Sequence, residues 1–186
     1  MNAYFKLGWD PNFPDPWCLG EIDCKTSPVD CRIFTYGKRV VPPGPLQVPI
    51  TRDGVALKLT FAAFDVPVVS QALGDIFARL APGVIERFPV EVGKMADGYE
   101  ILNVTCRYDA VDRERSGYLL WGPEDGRPDK VGTFRQLYPM VFRRDIHPPH
   151  VFRVKEWEAA LVVSGELMAA LSHAGLEGVK FKPIEQ

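Results

Sequence analysis

The sequence predicts an α+β fold: a single domain over residues 1–186, with a mostly antiparallel sheet, two repeated strand–helix–strand units and a β-rich N-terminal half. Three observations predict it. The first is an internal repeat, the signal that most directly decides architecture. VVSQALGDIFARLAPGVIERFPV, from Val68 to Val90, lies at a constant offset from VVSGELMAALSHAGLEGVKFKPI, from Val162 to Ile184. Val68, Val69 and Ser70 fall on Val162, Val163 and Ser164, Leu73 falls on Leu167, and Pro89 on Pro183. The second is periodicity. Leu73, Ile76, Phe77 and Leu80 recur at helical spacing, as do Leu167, Ala170, Leu171 and Ala174, so each unit holds a helix with one apolar face. The third is the rest of the chain, where short β-branched and aromatic runs are cut by turn signals and 17 prolines.

Each unit has its own local logic. Two β-branched residues end an extended segment, and Ser70 or Ser164 follows as a helix N-cap whose hydroxyl accepts an otherwise unpaired N–H. Glu166 sits where the positive end of the helix dipole favours an acid. Pro82-Gly83 ends the first helix and Gly175 the second. A strand then runs out, Val84–Val92 in one unit and Val179–Ile184 in the other. Burying each larger apolar side chain is worth about 1.5–3 kcal/mol, so each stripe needs a sheet to cover it.

Composition excludes several classes. A net charge of −2 with both signs dispersed argues against sequence-independent nucleic-acid binding. No apolar run approaches a membrane span. Met1–Trp9 has no basic-then-apolar leader, which places the expected location in the cytoplasm. Cys18, Cys24, Cys31 and Cys106 lack the paired spacing of a structural zinc site and are expected as free thiols.

In order along the chain, Asp10-Pro11, Phe13-Pro14 and Asp15-Pro16 form a turning opening, with Trp9 and Trp17 covering an edge of the core. Gly20–Tyr36 holds two short strands, the better one at Ile33–Tyr36. Val40–Pro45 is a break, which makes residues 1–60 a candidate β-rich subdomain. Leu46–Ile50 reads as an edge strand, and Asp53-Gly54 as the turn of a hairpin with Val55–Phe61. After an Asp97-Gly98 turn, Tyr99–Tyr108 is the most strand-like run in the protein. Charged loops follow at 109–116 and 122–132, on either side of a strand at Tyr118–Trp121. Phe134–Phe142 is a strand interrupted by Pro139, His147–His150 a rigid link, and Val151–Val154 a short strand that Lys155–Leu161 joins to the second unit.

No complete catalytic constellation stands out. His147-Pro-Pro-His150 cannot present two ligands on one helical face. Cys106 has no base in evidence, and neither Ser70 nor Ser164 lies in a Gly-x-Ser-x-Gly elbow. There is no phosphate-cradling glycine loop and no HExxH. Asp109, Asp112 and Glu114 crowd one loop, where carboxylates serve acid/base work, a cation, a turn or a basic partner.

Two stretches carry a resemblance. YEILNVTCRYDAVDRERS, from Tyr99 to Ser116, and FRVKEWEAALVVSGELMAALSHAGLEGVKFKPI, from Phe152 to Ile184, resemble the myxobacterial-type immunity-protein domain of bacterial polymorphic toxin systems. The similarity runs from about residue 66 to 184 and is looser over the first 60 residues. It implies a protein that binds and neutralises a toxin encoded beside it, with no cofactor and no catalytic residues to carry over. The toxin-facing surface is expected at Asp109, Asp112, Glu114, Tyr118, Trp121, Glu124, Asp125 and Asp129, which are loop-borne charges flanked by aromatic anchors. An acidic patch there would suit a nuclease toxin with a basic, phosphate-binding surface. Rival readings are a small metal-dependent hydrolase using Asp109, Asp112 and a histidine, and a non-catalytic ligand-binding or adaptor module.

Overall fold

The computed structural model describes residues 3–94 and 98–186, so Asp97 of the expected Asp97-Gly98 turn lies outside the described residues. The chain opens with β1 (Tyr4–Trp9), which buries Tyr4 on one face and Leu7 on the other. β2 (Cys18–Leu19) and β3 (Asp23–Cys24) follow. The expected strand at Ile33–Tyr36 is instead a 3-10 helix, Cys31–Thr35. Asp30 accepts the Arg32 N–H at 3.0 Å, and the Thr35 hydroxyl donates to the Arg32 carbonyl at 2.8 Å. These local bonds outcompete a ladder.

β4 (Leu46–Val48) and β5 (Ile50–Arg52) come next. β4 is not an edge strand, because β3 covers one side and β8 the other. The Asp53-Gly54 hairpin does not form. Val55 donates its N–H to Asp15 and accepts that of Trp17, which ties it to the opening segment. The hairpin is made one step later, by β6 (Leu59–Ala62) and β7 (Val66–Ser70). Then come α1 (Gln71–Leu80), β8 (Ile85–Val92), β9 (Tyr99–Val104), β10 (Arg107–Tyr108), β11 (Tyr118–Leu120), β12 (Phe134–Leu137), β13 (Val151–Val154), β14 (Trp157–Ser164), α2 (Gly165–His173) and β15 (Val179–Ile184).

The strands make two main sheets of order β3-β4-β8-β9-β7-β6 and β10-β13-β14-β1-β15, with two-stranded pairs β2-β5 and β11-β12. The sheets are mixed: β4 runs parallel to β8 and β10 to β13, and the other pairs are antiparallel. The described residues are mostly β with two α-helices. The run Tyr99–Tyr108 crosses from one sheet to the other, as β9 in the first and β10 in the second.

Both helices share one apolar core, where Leu73 and Phe77 of α1 and Leu167 and Leu171 of α2 pack with Leu7, Leu102 and Val163 from the two sheets. The opposite face of the first sheet is covered by the N-terminal segment through Trp17, Ile22 and Phe34. The opposite face of the second is covered by residues of 110–146 through Val111, Phe134 and Phe142. Trp17 is thus a core residue, whereas Trp9 is 61% exposed and lies outside the core.

The two helices stand where the periodicity puts them, each entered from a strand and followed by one. In both cases the flanking strands lie on either side of a third, antiparallel strand, β9 between β7 and β8, and β1 between β14 and β15. The caps differ. Ser164 Oγ accepts the Leu167 N–H at 3.2 Å, but Ser70 makes no side-chain cap and its hydroxyl is buried without a partner among the described residues. The Gln71 N–H goes to the Gly98 carbonyl instead.

Candidate interaction surface

All eight residues expected at the surface belong to the layer outside the second sheet. Asp109 follows β10 directly, is exposed, and faces Arg143 Nη1 at 3.5 Å. Asp112 closes a tight turn, because its Oδ1 accepts the N–H groups of Glu114 and Arg115 at 3.1 and 3.2 Å. Arg115 spans from that turn to Glu185 at 2.9 Å. The Ser116 hydroxyl bonds both backbone groups of Val141, which pins the start of β11 to the segment after β12.

At the far end of β11 the chain turns back through 122–133. Asp125 accepts the Gly122 N–H at 2.8 Å and pairs with Arg135. Asp129 takes both arms of Arg127, at 3.0 and 2.8 Å, and that guanidinium holds its carboxyl below the usual range. Lys130 and Arg135 stand over the Trp121 ring at 5.6 and 5.3 Å. Arg113 pairs with Glu156 and lies over Phe134 and Tyr118 at 4.8 and 5.7 Å.

The surface is therefore not an acidic patch. Residues 109–145 hold as many Lys and Arg as Asp and Glu, and Asp109, Asp112, Asp125 and Asp129 each face an arginine. The two acidic loops also sit at opposite ends of β11 rather than side by side. What lies between them is apolar and open: Tyr118, Leu119 and Leu120 are 38, 59 and 39% exposed. Val131 and Tyr138 are exposed as well. Sequence reading took Tyr118 and Trp121 as anchors and passed over Leu119, Leu120 and Tyr138. An unbroken apolar run in so short a strand signals burial on both faces as readily as exposure.

The rival constellations fall apart in space. The His147 backbone N–H meets the Tyr108 hydroxyl at 3.2 Å, while His150 turns to Ser164 Oγ at 2.7 Å and to Glu166 at 3.8 Å. Neither joins Asp109 or Asp112. The Ser164–His150–Glu166 line was not legible in the sequence, because nothing there links His150 to the second unit; the Ser164 hydroxyl is already engaged as a cap. Among the described residues, no cluster of three or more His, Cys, Asp or Glu is placed to hold a metal ion, and no helix is long and apolar enough to cross a membrane. The four cysteines are free, and burial pushes the thiols of Cys31 and Cys106 up.

Two further features lie elsewhere. A cleft of about 450 Å³ is lined by Trp9, Trp17, Phe61, Phe64 and Arg52. Phe64 and Asp65 on its rim are both left-handed, at φ 61° and 58°. Arg153 of β13 is fully buried; burial pushes it down to about 10, still far above neutrality, and Asp65 and Glu158 offset part of that. It gives one bond to the Glu158 carbonyl at 3.1 Å, and its Nε and Nη2 have no partner among the described residues.

No curated protein matches the chain. A family model does: that of the immunity protein family Imm11, over residues 43–186. That span takes in both helices, the strand that crosses between the sheets and the whole exposed hairpin, so the chain belongs to the Imm11 immunity protein family.

Proposed function

We propose that this protein neutralises a cognate toxin by forming a stoichiometric complex with it in the cytoplasm, without turnover of its own, and that the hairpin layer over residues 109–138 meets the toxin. The carrying observation is the exposed strand Tyr118–Leu120 held between two charged loops in a member of an immunity family. Apolar and aromatic side chains open to water, rimmed by charge, are what an interface core and its rim are made of. The carboxylates of Asp109, Asp112, Glu114, Glu124, Asp125 and Asp129 serve that rim, and Trp121 and Tyr118 the core. A nuclease target has weaker support, because most of these carboxylates would have to leave an arginine before meeting a basic surface. Residues 1–186 act as one domain in this reading, supported by an apolar cluster that runs from Trp17 to Ile101 across the proline-rich break. The two strand–helix–strand units are a structural repeat in it, supported by their matching strand order.

The test is co-expression with the product of the adjacent gene. Wild-type protein rescues growth. Leu119→Asp, which breaks no cap or ion pair, abolishes rescue, and joint reversal of Asp109, Asp112, Glu124 and Asp125 weakens it. Full rescue by both variants, with the fold intact, rejects the surface. Catalytic destruction of the toxin or its substrate by the purified protein rejects binding without turnover. A ligand-binding module is the second reading, favoured by the aromatic cleft at Trp9 and Phe64; a small molecule that co-purifies in stoichiometric amount would establish it.

A further inference from the structure

The outer edge of β11 is open, and its geometry can be read residue by residue. In an antiparallel ladder, successive residues turn their N–H and C=O alternately toward and away from the partner strand. Gly117 donates to Pro139 and accepts from Tyr138, while Trp121 donates to Thr133 and accepts from Gly132. Alternation between them turns Leu119 toward β12 and turns Tyr118 and Leu120 away. The opposite strand agrees. Phe134, which faces Leu120, sends its N–H away from β11 to the Glu156 carbonyl at 3.3 Å. One outward donor of β12 is thereby engaged. β11 pairs with β12 alone, and among the described residues no partner meets the outward N–H of Tyr118 or Leu120.

Proteins normally guard such an edge with lysine, proline or a covering segment. β11 carries none of these; its sequence is Tyr-Leu-Leu with all three side chains exposed, and the ladder bulge falls on the β12 side, at Arg135. The edge is extended, rigidly backed by buried Phe134 and Leu137, and apolar on both faces. That is the template for strand addition, in which main-chain bonds give affinity and alternating side chains give specificity.

We infer that the toxin docks by adding one of its own extended segments to the outer edge of β11, with the N–H groups of Tyr118 and Leu120 donating to it. This rests on the immunity reading above and deepens it. The occupant must reach beyond the strand. A ladder on a three-residue strand buries far less than the roughly 1,200–2,000 Å² of a stable interface. The loops at its two ends, each carrying both signs of charge, supply the remaining contact and fix the register of the added strand.

The experiment uses the full chain and a catalytically inactivated product of the adjacent gene. Hydrogen exchange is followed at single amides, free and in complex. Strand addition slows the Tyr118 and Leu120 amides about 100-fold or more, while Gly117 and Trp121, already bonded, change little. In parallel, Leu120→Pro removes the outward donor without touching a β12 bond, since proline is tolerated on an edge. It weakens binding about tenfold or more beyond Leu120→Ala, which keeps the N–H. If wild-type protein binds but the two amides exchange as before, and Leu120→Pro binds like Leu120→Ala, strand addition is overturned while the immunity reading stands. If wild-type protein forms no complex at all, the immunity reading falls and this inference with it. If Leu120→Pro dissociates a dimer of the free protein, the edge belongs to a second copy and the toxin is the wrong occupant.

Discussion

β9 and β11 are written in nearly the same alphabet and end in opposite environments. Tyr99-Glu-Ile-Leu-Asn-Val104 lies between β7 and β8, and from Glu100 onward every residue is buried. Tyr118-Leu-Leu120 has a neighbour on one side and no buried residue. Apolar content therefore says that a segment wants covering, not that this chain covers it. For β9 the cover comes from both directions, with Ile101 facing the N-terminal layer and Leu102 and Val104 the two helices. For β11 no second strand among the described residues arrives on the outer side, and in an immunity protein family the missing cover is informative.

The contrast can be sharpened by substitution. Leu102→Ala opens a hole at a fully buried site facing both helices and should lower stability by about 2–5 kcal/mol, read as a shift in the urea midpoint at unchanged m-value. An effect below ~1 kcal/mol would break the picture of β9 as the shared spine. Arg153 accepts no such simple rule. Its backbone N–H bonds Cys106, on the continuation of β9, and its side chain buries a charge with two nitrogens unpaired among the described residues. A buried charge without an ion pair costs free energy, so Arg153→Met should raise the melting temperature. A lower melting temperature would mean that Asp65 or Glu158 compensates the charge better than their distance-dependent attraction alone.

Smaller effects separate the two units. Ser164→Ala removes a cap and should cost about 1 kcal/mol, whereas Ser70→Ala removes only a buried, unpaired hydroxyl and should cost nothing or stabilise slightly; paired thermal melts check both. Equal costs would show that Ser70 caps its helix in solution. Smallest of all, Leu119→Ala should change stability by less than about 0.5 kcal/mol, because an exposed side chain loses little on truncation. A larger loss would mean that the hairpin folds back on itself and that β11 is not an open edge.

What was legible followed from local chemistry. The helices at Gln71–Leu80 and Gly165–His173 declare themselves through a stripe at helical spacing and stop at Gly83 and Gly175, both with positive φ. The strands at Tyr99, Tyr118 and Val151 follow from β-branched and aromatic runs between breakers. Ile33–Tyr36 failed because an Asp30 cap, which needs only two residues of context, overrode β propensity. β1 was missed altogether: Tyr-Phe-Lys-Leu-Gly-Trp is a weak strand whose partners lie at the other end of the chain. The candidate surface was legible in place but not in character. The sequence shows carboxylates in loops; it does not show that Arg143, Arg135 and Arg127 come to face them, nor that Leu119 and Leu120 stay uncovered.

The place of β1 has a consequence for how the molecule is made. Tyr4 pairs with Ser164 and with Ile184. As the chain leaves the ribosome, β1, an interior strand of the second sheet, emerges about 160 residues or more before β14 and β15, the two strands that flank it. The first sheet draws on residues 23–104 and can assemble earlier. Contacts about 160 residues apart must first pay the entropy of closing that loop, which makes them late and slow. Until β14 and β15 exist, Tyr4 and Leu7 have no ladder to join, and the layer at 110–146 has no finished sheet to rest on. The hairpin that presents β11 is thus among the last surfaces to mature. Under the proposed reading, competence to bind would lag behind synthesis by the time this clasp takes to close.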